Sequence, residues 1–196
     1  MNRLSPTIKF AIVVGLQVAV ILLIILFKLA ILTGGTTVRL QIEPVDPRDP
    51  LRGDYVTFRY ADLSTIQLYG NLPSGVREGS TVYIPLRRLG TYWGSTNRVL
   101  TSPPDAKDGE EIFLRGQVTT VADNTPNVET WGQPSDRNWE PTTVHVTYGI
   151  EDYFIPENSG RTLPWGRDAD LSADVSVDDQ GRAVLKGLYA KGKPWP

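Results

Sequence analysis

The sequence predicts an all-β domain, an antiparallel sandwich or partly open barrel, behind one N-terminal transmembrane helix. Three observations predict it. The run FAIVVGLQVAVILLIILFKLAIL, Phe10 to Leu32, carries no charge before Lys28. Beyond it, apolar residues recur with a period of two instead of 3.6. Gly and Pro clusters separate the periodic runs, as turns separate short strands.

The helix comes first in the chain. A span of about 20 apolar residues crosses a ~30 Å hydrocarbon core. The run is too long for a signal-peptide h-region of about 7–15 residues, and no small-x-small cleavage site follows, so an uncleaved anchor is expected. The chain has no cysteine, which excludes a lipoprotein anchor, disulfides and thiol chemistry. The expected layout is a tail at 1–9, the helix at 10–32, a linker TGGT at 33–36 and the β domain at 37–196. Four linker residues reach about 14 Å at most, so the domain must begin at the membrane surface. Arg3 and Lys9 flank one end of the span and Arg39 and Arg48 the other, nearly a tie by the positive-inside rule. A short tail before a long apolar run is the layout of a signal anchor. The N-terminus is therefore placed in the cytoplasm, and the domain outside it on a single-pass cell-membrane protein. Lys28 lies near the outer end of the span, where its stem can snorkel to the headgroups.

The strands follow in order. Val38, Leu40 and Ile42 alternate with Arg39, Gln41 and Glu43. Val56, Phe58 and Tyr60 make the next apolar face, with Tyr55 and Arg59 opposite. Val82, Ile84 and Leu86 form a third. Ile112, Leu114, Gly116 and Val118 form a fourth, and Val144, Val146, Tyr148 and Ile150 a fifth. Half-buried antiparallel strands give this alternation. ADVSV and RAVLKGLY close the set across DDQG, a short hairpin loop in which Gly181 suits positive φ. The long irregular stretch Ala122 to Pro141 holds Trp131 and Trp139. Loops of that length are often functional, and these two rings are the candidate partner surface.

Charge narrows the partners. Without Arg3, Lys9 and Lys28, 17 of the 20 Lys and Arg residues remain against 22 Asp and Glu, a net charge of about −5. That argues against nucleic acid, and against an anionic membrane as the domain's main partner.

The stretch DPRDPLRGDYVTFRYADL, Asp46 to Leu63, reads as a turn feeding a strand. Pro47 and Pro50 hold the residues before them extended. Gly53 permits a turn closed to other residues, Asp54 can bond a nearby amide, and Arg52 is the exposed member of a tripeptide common by chance. GDYVTFRY, Gly53 to Tyr60, resembles the signature of the GDYXXLXY protein family, with Phe58 where that pattern has leucine. PVDPRDPLRGDY before it, YGIEDYFIPENSG from Tyr148 to Gly160, and GRAVLKGL from Gly181 to Leu188 resemble further segments of that family. The resemblance implies a membrane-associated protein and a multi-pass membrane protein as partner. It implies no reaction. The motif residues it marks are Arg52, Gly53, Asp54, Tyr55, Phe58 and Tyr60.

Several chemistries compete with this reading. RGDYVTFRY is similar to the Gly-Asp turn and strand of signal peptidases, but that reaction needs a serine beside a lysine base, and TGGTTVRLQIEP lacks the expected Ser-Met-x-Pro. A carboxylate-based hydrolase would draw on His145, Glu151, Tyr153 and Glu157. On a regular strand, however, His145 and Glu151 stand ~20 Å apart, and one histidine supports neither a metal site nor a triad. GLYAKGK has phosphate-loop spacing, yet Pro194 stands where magnesium needs a hydroxyl. Asp168, Asp170, Asp174, Asp178 and Asp179 lack EF-hand spacing. No metal and no cofactor are expected. The reading is an extracytoplasmic interaction domain that partners another membrane protein. The alternatives are an envelope hydrolase and a sugar-binding module built on loop tryptophans.

Overall fold

The computed structural model describes residues 5–45, 55–69, 71–104, 112–122, 141–155 and 170–195. Within them one long helix leads into a chain that is otherwise β-structure.

Helix α1 spans Pro6–Gly34. Ser5 caps it, its Oγ accepting from the amide of Ile8 at 3.4 Å, and Pro6 opens the first turn, where a missing N–H costs nothing. The helix is long and apolar enough to cross a membrane. Large apolar side chains are exposed along it from Ile8 to Leu29. An all-round apolar helix is stable only in an apolar surround.

The four residues expected as a linker are almost wholly absorbed. Thr33 and Gly34 remain helical, β1 begins at Thr36, and only Gly35 lies between. The amide of Gly35 donates back to Ile31 O at 3.0 Å. A Cβ on Gly35 would lie 2.7 Å from Ser176 Oγ and from Val177 O, so the chain passes where only glycine fits.

The strands are β1 (Thr36–Val45), β2 (Tyr55–Tyr60), β3 (Thr65–Leu68), β4 (Thr81–Leu89), β5 (Tyr92–Ser95) and β6 (Phe113–Ala122). They continue as β7 (Thr142–Thr147), β8 (Asp152–Phe154), β9 (Leu171–Val177), β10 (Ala183–Ala190) and β11 (Lys193–Trp195). They form one open sheet in the order β11-β10-β9-β1-β5-β4-β6-β7-β3, with β2 and β8 branching from β1. Two long strands change partner midway. The first half of β1 pairs with β9 and its second half with β2. Likewise β4 pairs first with β6, then with β5. The sheet is mixed, because β1 meets β5 in parallel at Leu40 and Trp93. That departs from the all-antiparallel expectation. No short turn joins β1 to β5, so nothing local sets their relative direction.

The core follows the period-two faces. Val38, Leu40, Val56, Phe58, Tyr60, Val82, Ile84, Leu114, Val118 and Val144 are essentially sealed from water. Gly181, at φ 74°, closes the β9–β10 hairpin as its sequence suggests. Trp195 lies in the core and Trp93 packs against it.

Candidate functional site

Of the residues singled out in the sequence, Arg52, Gly53, Asp54, Glu157, Trp131 and Trp139 lie outside the described residues, as does the side chain of Tyr55. The remaining motif residues are interior. Phe58 and Tyr60 are 1% and 0% exposed, and their rings meet edge to face at 5.5 Å. The Tyr60 hydroxyl donates to Ile150 O at 2.7 Å, so its burial leaves no polar atom stranded. The Phe58 amide donates to Glu151 O at 3.0 Å. Thr57 Oγ1 donates to Asp152 Oδ1 at 2.7 Å. Tyr153 is half-buried and faces Val56 in the β2–β8 register. The signature strand therefore grips the segment Tyr148 to Phe154, which the sequence had marked separately.

Glu151 organises that segment. One carboxylate oxygen accepts the Tyr148 amide, and the other accepts the Ile150 amide at 2.9 Å. Gly149, at φ 73°, makes the turn between them. Tyr148 crosses beneath, edge to face with Tyr60 at 6.2 Å, and its hydroxyl donates to Leu63 O at 2.8 Å. Burial pushes both phenols well above their ordinary range, and the nearby Glu151 charge adds to this. Both stay neutral hydrogen-bond donors at any physiological pH. His145 stands elsewhere, exposed on β7 with Nδ1 3.2 Å from Thr65 Oγ1. It shares no bonded partner with Glu151. Each of these polar groups is accounted for by a structural bond.

The far side of Tyr148 faces a different surface. Its ring helps line a cleft of about 490 Å³ between α1 and the sheet. Phe27, Lys28 and Ile31 form the helix wall. Arg115 of β6 and Arg182, which precedes β10, stand on the sheet side. Their placement is a consequence of the β9–β10 turn. The Arg115 amide donates to Gly181 O at 2.7 Å, so β6 is tied to the hairpin that carries Arg182. Gly116 allows β7 to come close, since a Cβ there would lie 3.0 Å from both Thr147 O and the Tyr148 ring.

Helix and sheet are clamped at this cleft. The buried Ser176 hydroxyl donates to Ile31 O at 2.7 Å. The Arg182 guanidinium lies 4.7 Å from the centre of the Phe27 ring, a cation–π contact, while its Nε donates to Asp178 at 2.7 Å. The sequence marks Lys28, Gly116, Tyr148 and Asp178 separately, and none of them as part of a cleft. Arg115 lies on β6 and Arg182 just before β10, and nothing local brings them together.

A second polar group lies on the open face of β9, β1 and β5. Arg39 makes a two-point ion pair with Asp174, at 2.7 and 2.8 Å, and lies 4.3 Å from the centre of the Tyr189 ring. The guanidinium holds the Asp174 carboxyl below its usual range. Tyr92 donates to Asp170 at 2.6 Å, which raises its phenol above the ordinary value. Among the described residues no cluster of His, Asp and Glu has metal-binding geometry.

A family model described as GDYXXLXY protein matches residues 17–188, which takes in α1 from its middle onward, β1 to β9, and β10 as far as Leu188. No curated protein and no solved structure matches the chain.

Proposed function

We propose, for a chain that belongs to the GDYXXLXY protein family, a membrane-anchored interaction module whose β domain sits outside the cytoplasm and partners another membrane protein. The observation that carries this reading is the clamp between α1 and the sheet, Ser176 on Ile31 and Arg182 on Phe27. A domain tethered by a loose linker samples a wide volume and meets soluble partners. A domain held to a membrane-length helix through one glycine keeps one face toward the bilayer. Its partner must then lie in the membrane or on it.

The interior polar groups favour binding over catalysis. General acid–base chemistry needs titratable side chains that converge with capacity to spare. Glu151 and the two tyrosines spend theirs on backbone groups. The loop tryptophans Trp131 and Trp139 are proposed as the partner's contact.

The test is crosslinking of the full-length chain in native membranes. One integral membrane protein should be captured by the wild type and lost when a flexible Gly-Ser insert follows Gly35. Capture unchanged by the insert would overturn the reading. Hydrolysis of an envelope substrate by the purified chain would favour the enzymatic alternative, and retention on an immobilised glycan the sugar-binding one. Protease added outside intact cells or spheroplasts should digest the domain. Protection there would reverse its side.

A further inference from the structure

We propose that the cleft between α1 and the sheet binds the phosphodiester headgroup of an anionic phospholipid. The proposal rests on α1 being a membrane anchor. Three observations then bear on the cleft.

The first is height. Lys9 and Lys28 bracket the uncharged stretch of α1, and at 1.5 Å per residue they stand about 28 Å apart. That is close to the ~30 Å thickness of a hydrocarbon core, so each lysine reaches a headgroup layer. The domain comes down to the level of the second one. Arg182 stacks on Phe27, the residue before Lys28, and the helix continues beyond it to Gly34 beside the sheet. The cleft therefore opens where lipid phosphates lie.

The second is charge. Among the described residues, the cleft is lined by Lys28, Arg115 and Arg182 and by no carboxylate. Asp178 satisfies Arg182 from outside the lining. Among the described residues, Lys28 and Arg115 have no ion pair. Two unpaired cations facing one cavity repel each other, and an anion between them relieves this. The chain as a whole is acidic, at −2. That average hides a local group of cations where the sheet meets the outer end of α1.

The third is the shape of the walls. About 490 Å³ is the size of a small-ligand site. Thr81 and Thr147 add hydroxyls beside the cations, while Phe27 and Ile31 give an apolar wall on the helix side. A phospholipid has this polarity, a charged phosphodiester continuous with acyl chains. Basic pockets beside membrane helices hold anionic headgroups by the same physics.

The test uses the full-length chain in detergent, with bound lipid counted by native mass spectrometry. Phosphatidylglycerol should be retained over phosphatidylcholine by about tenfold or more. Lys28→Gln and Arg115→Gln should each lower that preference by about fivefold, because a cation near the surface contributes about that factor. Lys191→Gln with Lys193→Gln should leave it unchanged. Lys193 pairs with Ala190, about 23 Å along the strand from Ala183 at the cleft. Melting curves of all variants separate lost binding from lost folding. Equal retention of the two lipids, or a preference untouched by both cleft substitutions, would overturn the proposal. Displacement of phosphatidylglycerol by inorganic phosphate at equal concentration would reassign the cleft to free phosphate. Release of the chain from vesicles by alkaline carbonate would overturn the anchor and this proposal with it. A chain that stays embedded but shows no lipid preference overturns this proposal alone.

Discussion

The signature strand and the helix cleft sit on two sides of one residue, Tyr148, and they use polar atoms in opposite ways. On the signature side, Tyr60, Tyr148 and Glu151 bond to backbone groups of Ile150, Leu63 and Tyr148 itself. Those bonds hold the fold together. On the cleft side, Lys28 and Arg115 face a cavity that, among the described residues, has no carboxylate in its lining. The contrast separates two meanings of a sequence signature. A recurring motif can mark the part of a protein that acts, or the part that holds the acting surface in place. Here Phe58 and Tyr60 are of the second kind. They fix the turn Tyr148 to Glu151, and the back of that turn is a wall of the cleft.

The largest effect that tests this comes from the interior. Phe58→Ala removes a sealed aromatic ring and should destabilise the domain by about 3–5 kcal/mol, measured by urea unfolding in detergent. At that cost much of the chain unfolds, since domains are held by only about 5–15 kcal/mol in all. A folded variant that has lost partner capture alone would make the strand a recognition site and break the comparison.

The tyrosines come next. Tyr60→Phe strips the donor from Ile150 O, and Tyr148→Phe strips it from Leu63 O, each at about 1–3 kcal/mol. The same pair predicts an alkaline limit. Their folded pKa values lie above the unfolded value of about 10, so their contribution is complete below pH ~10 and is lost as pH rises toward the folded values. Each tyrosine should remove up to ~1.4 kcal/mol per pH unit above that point. Tyrosinate absorbance should then rise together with the loss of circular dichroism. Ionisation of all the tyrosines before any unfolding would show that the two hydroxyls are open to water.

What the sequence made legible was the interior. A period of two was enough to put Val38, Leu40, Val56, Phe58, Tyr60, Val82, Ile84 and Val144 inside, because alternation is a local property of strands. Gly181 was legible for the same reason. The cleft was not. Its cations come from α1, β6 and the β9–β10 turn, and only tertiary pairing brings them together. The parallel meeting of β1 and β5 escaped for a similar reason, as no short turn connects them. The clamp was hidden by chemistry. TGGT reads as a short linker, yet Gly34 stays helical and Gly35 is there for close approach to Ser176.

The clamp sets the third prediction. Gly35→Ala forces a methyl against Ser176 Oγ, Val177 O and Ile31 O, at a cost of about 1–3 kcal/mol. The strain falls on the joint between helix and sheet, not on the core. Spin labels on α1 and on β10 should show a broader distance distribution, while the unfolding slope of the domain stays the same. An unchanged distribution would mean that the joint tolerates the methyl and that the clamp is held by Ser176 and Arg182 alone.

The smallest effect is the most discriminating. Arg115 is exposed on β6, with its amide bonded to Gly181 O and, among the described residues, no carboxylate partner for its side chain. Exposed residues of that kind change stability by about 0.5 kcal/mol or less. Removing one of two facing cations also relieves some repulsion, so Arg115→Gln should leave the unfolding midpoint unchanged or raise it slightly. Residues that build a fold destabilise it when they are changed. Residues kept for a ligand often do not, because in the empty protein they contribute little or are mildly unfavourable. Tyr60→Phe and Arg115→Gln therefore form a matched pair across Tyr148, one expected to lower stability and one expected not to. If Arg115→Gln instead costs more than about 1 kcal/mol in detergent free of anionic lipid, its guanidinium supports the sheet. The cleft would then be a by-product of packing, and the two sides of Tyr148 would be alike.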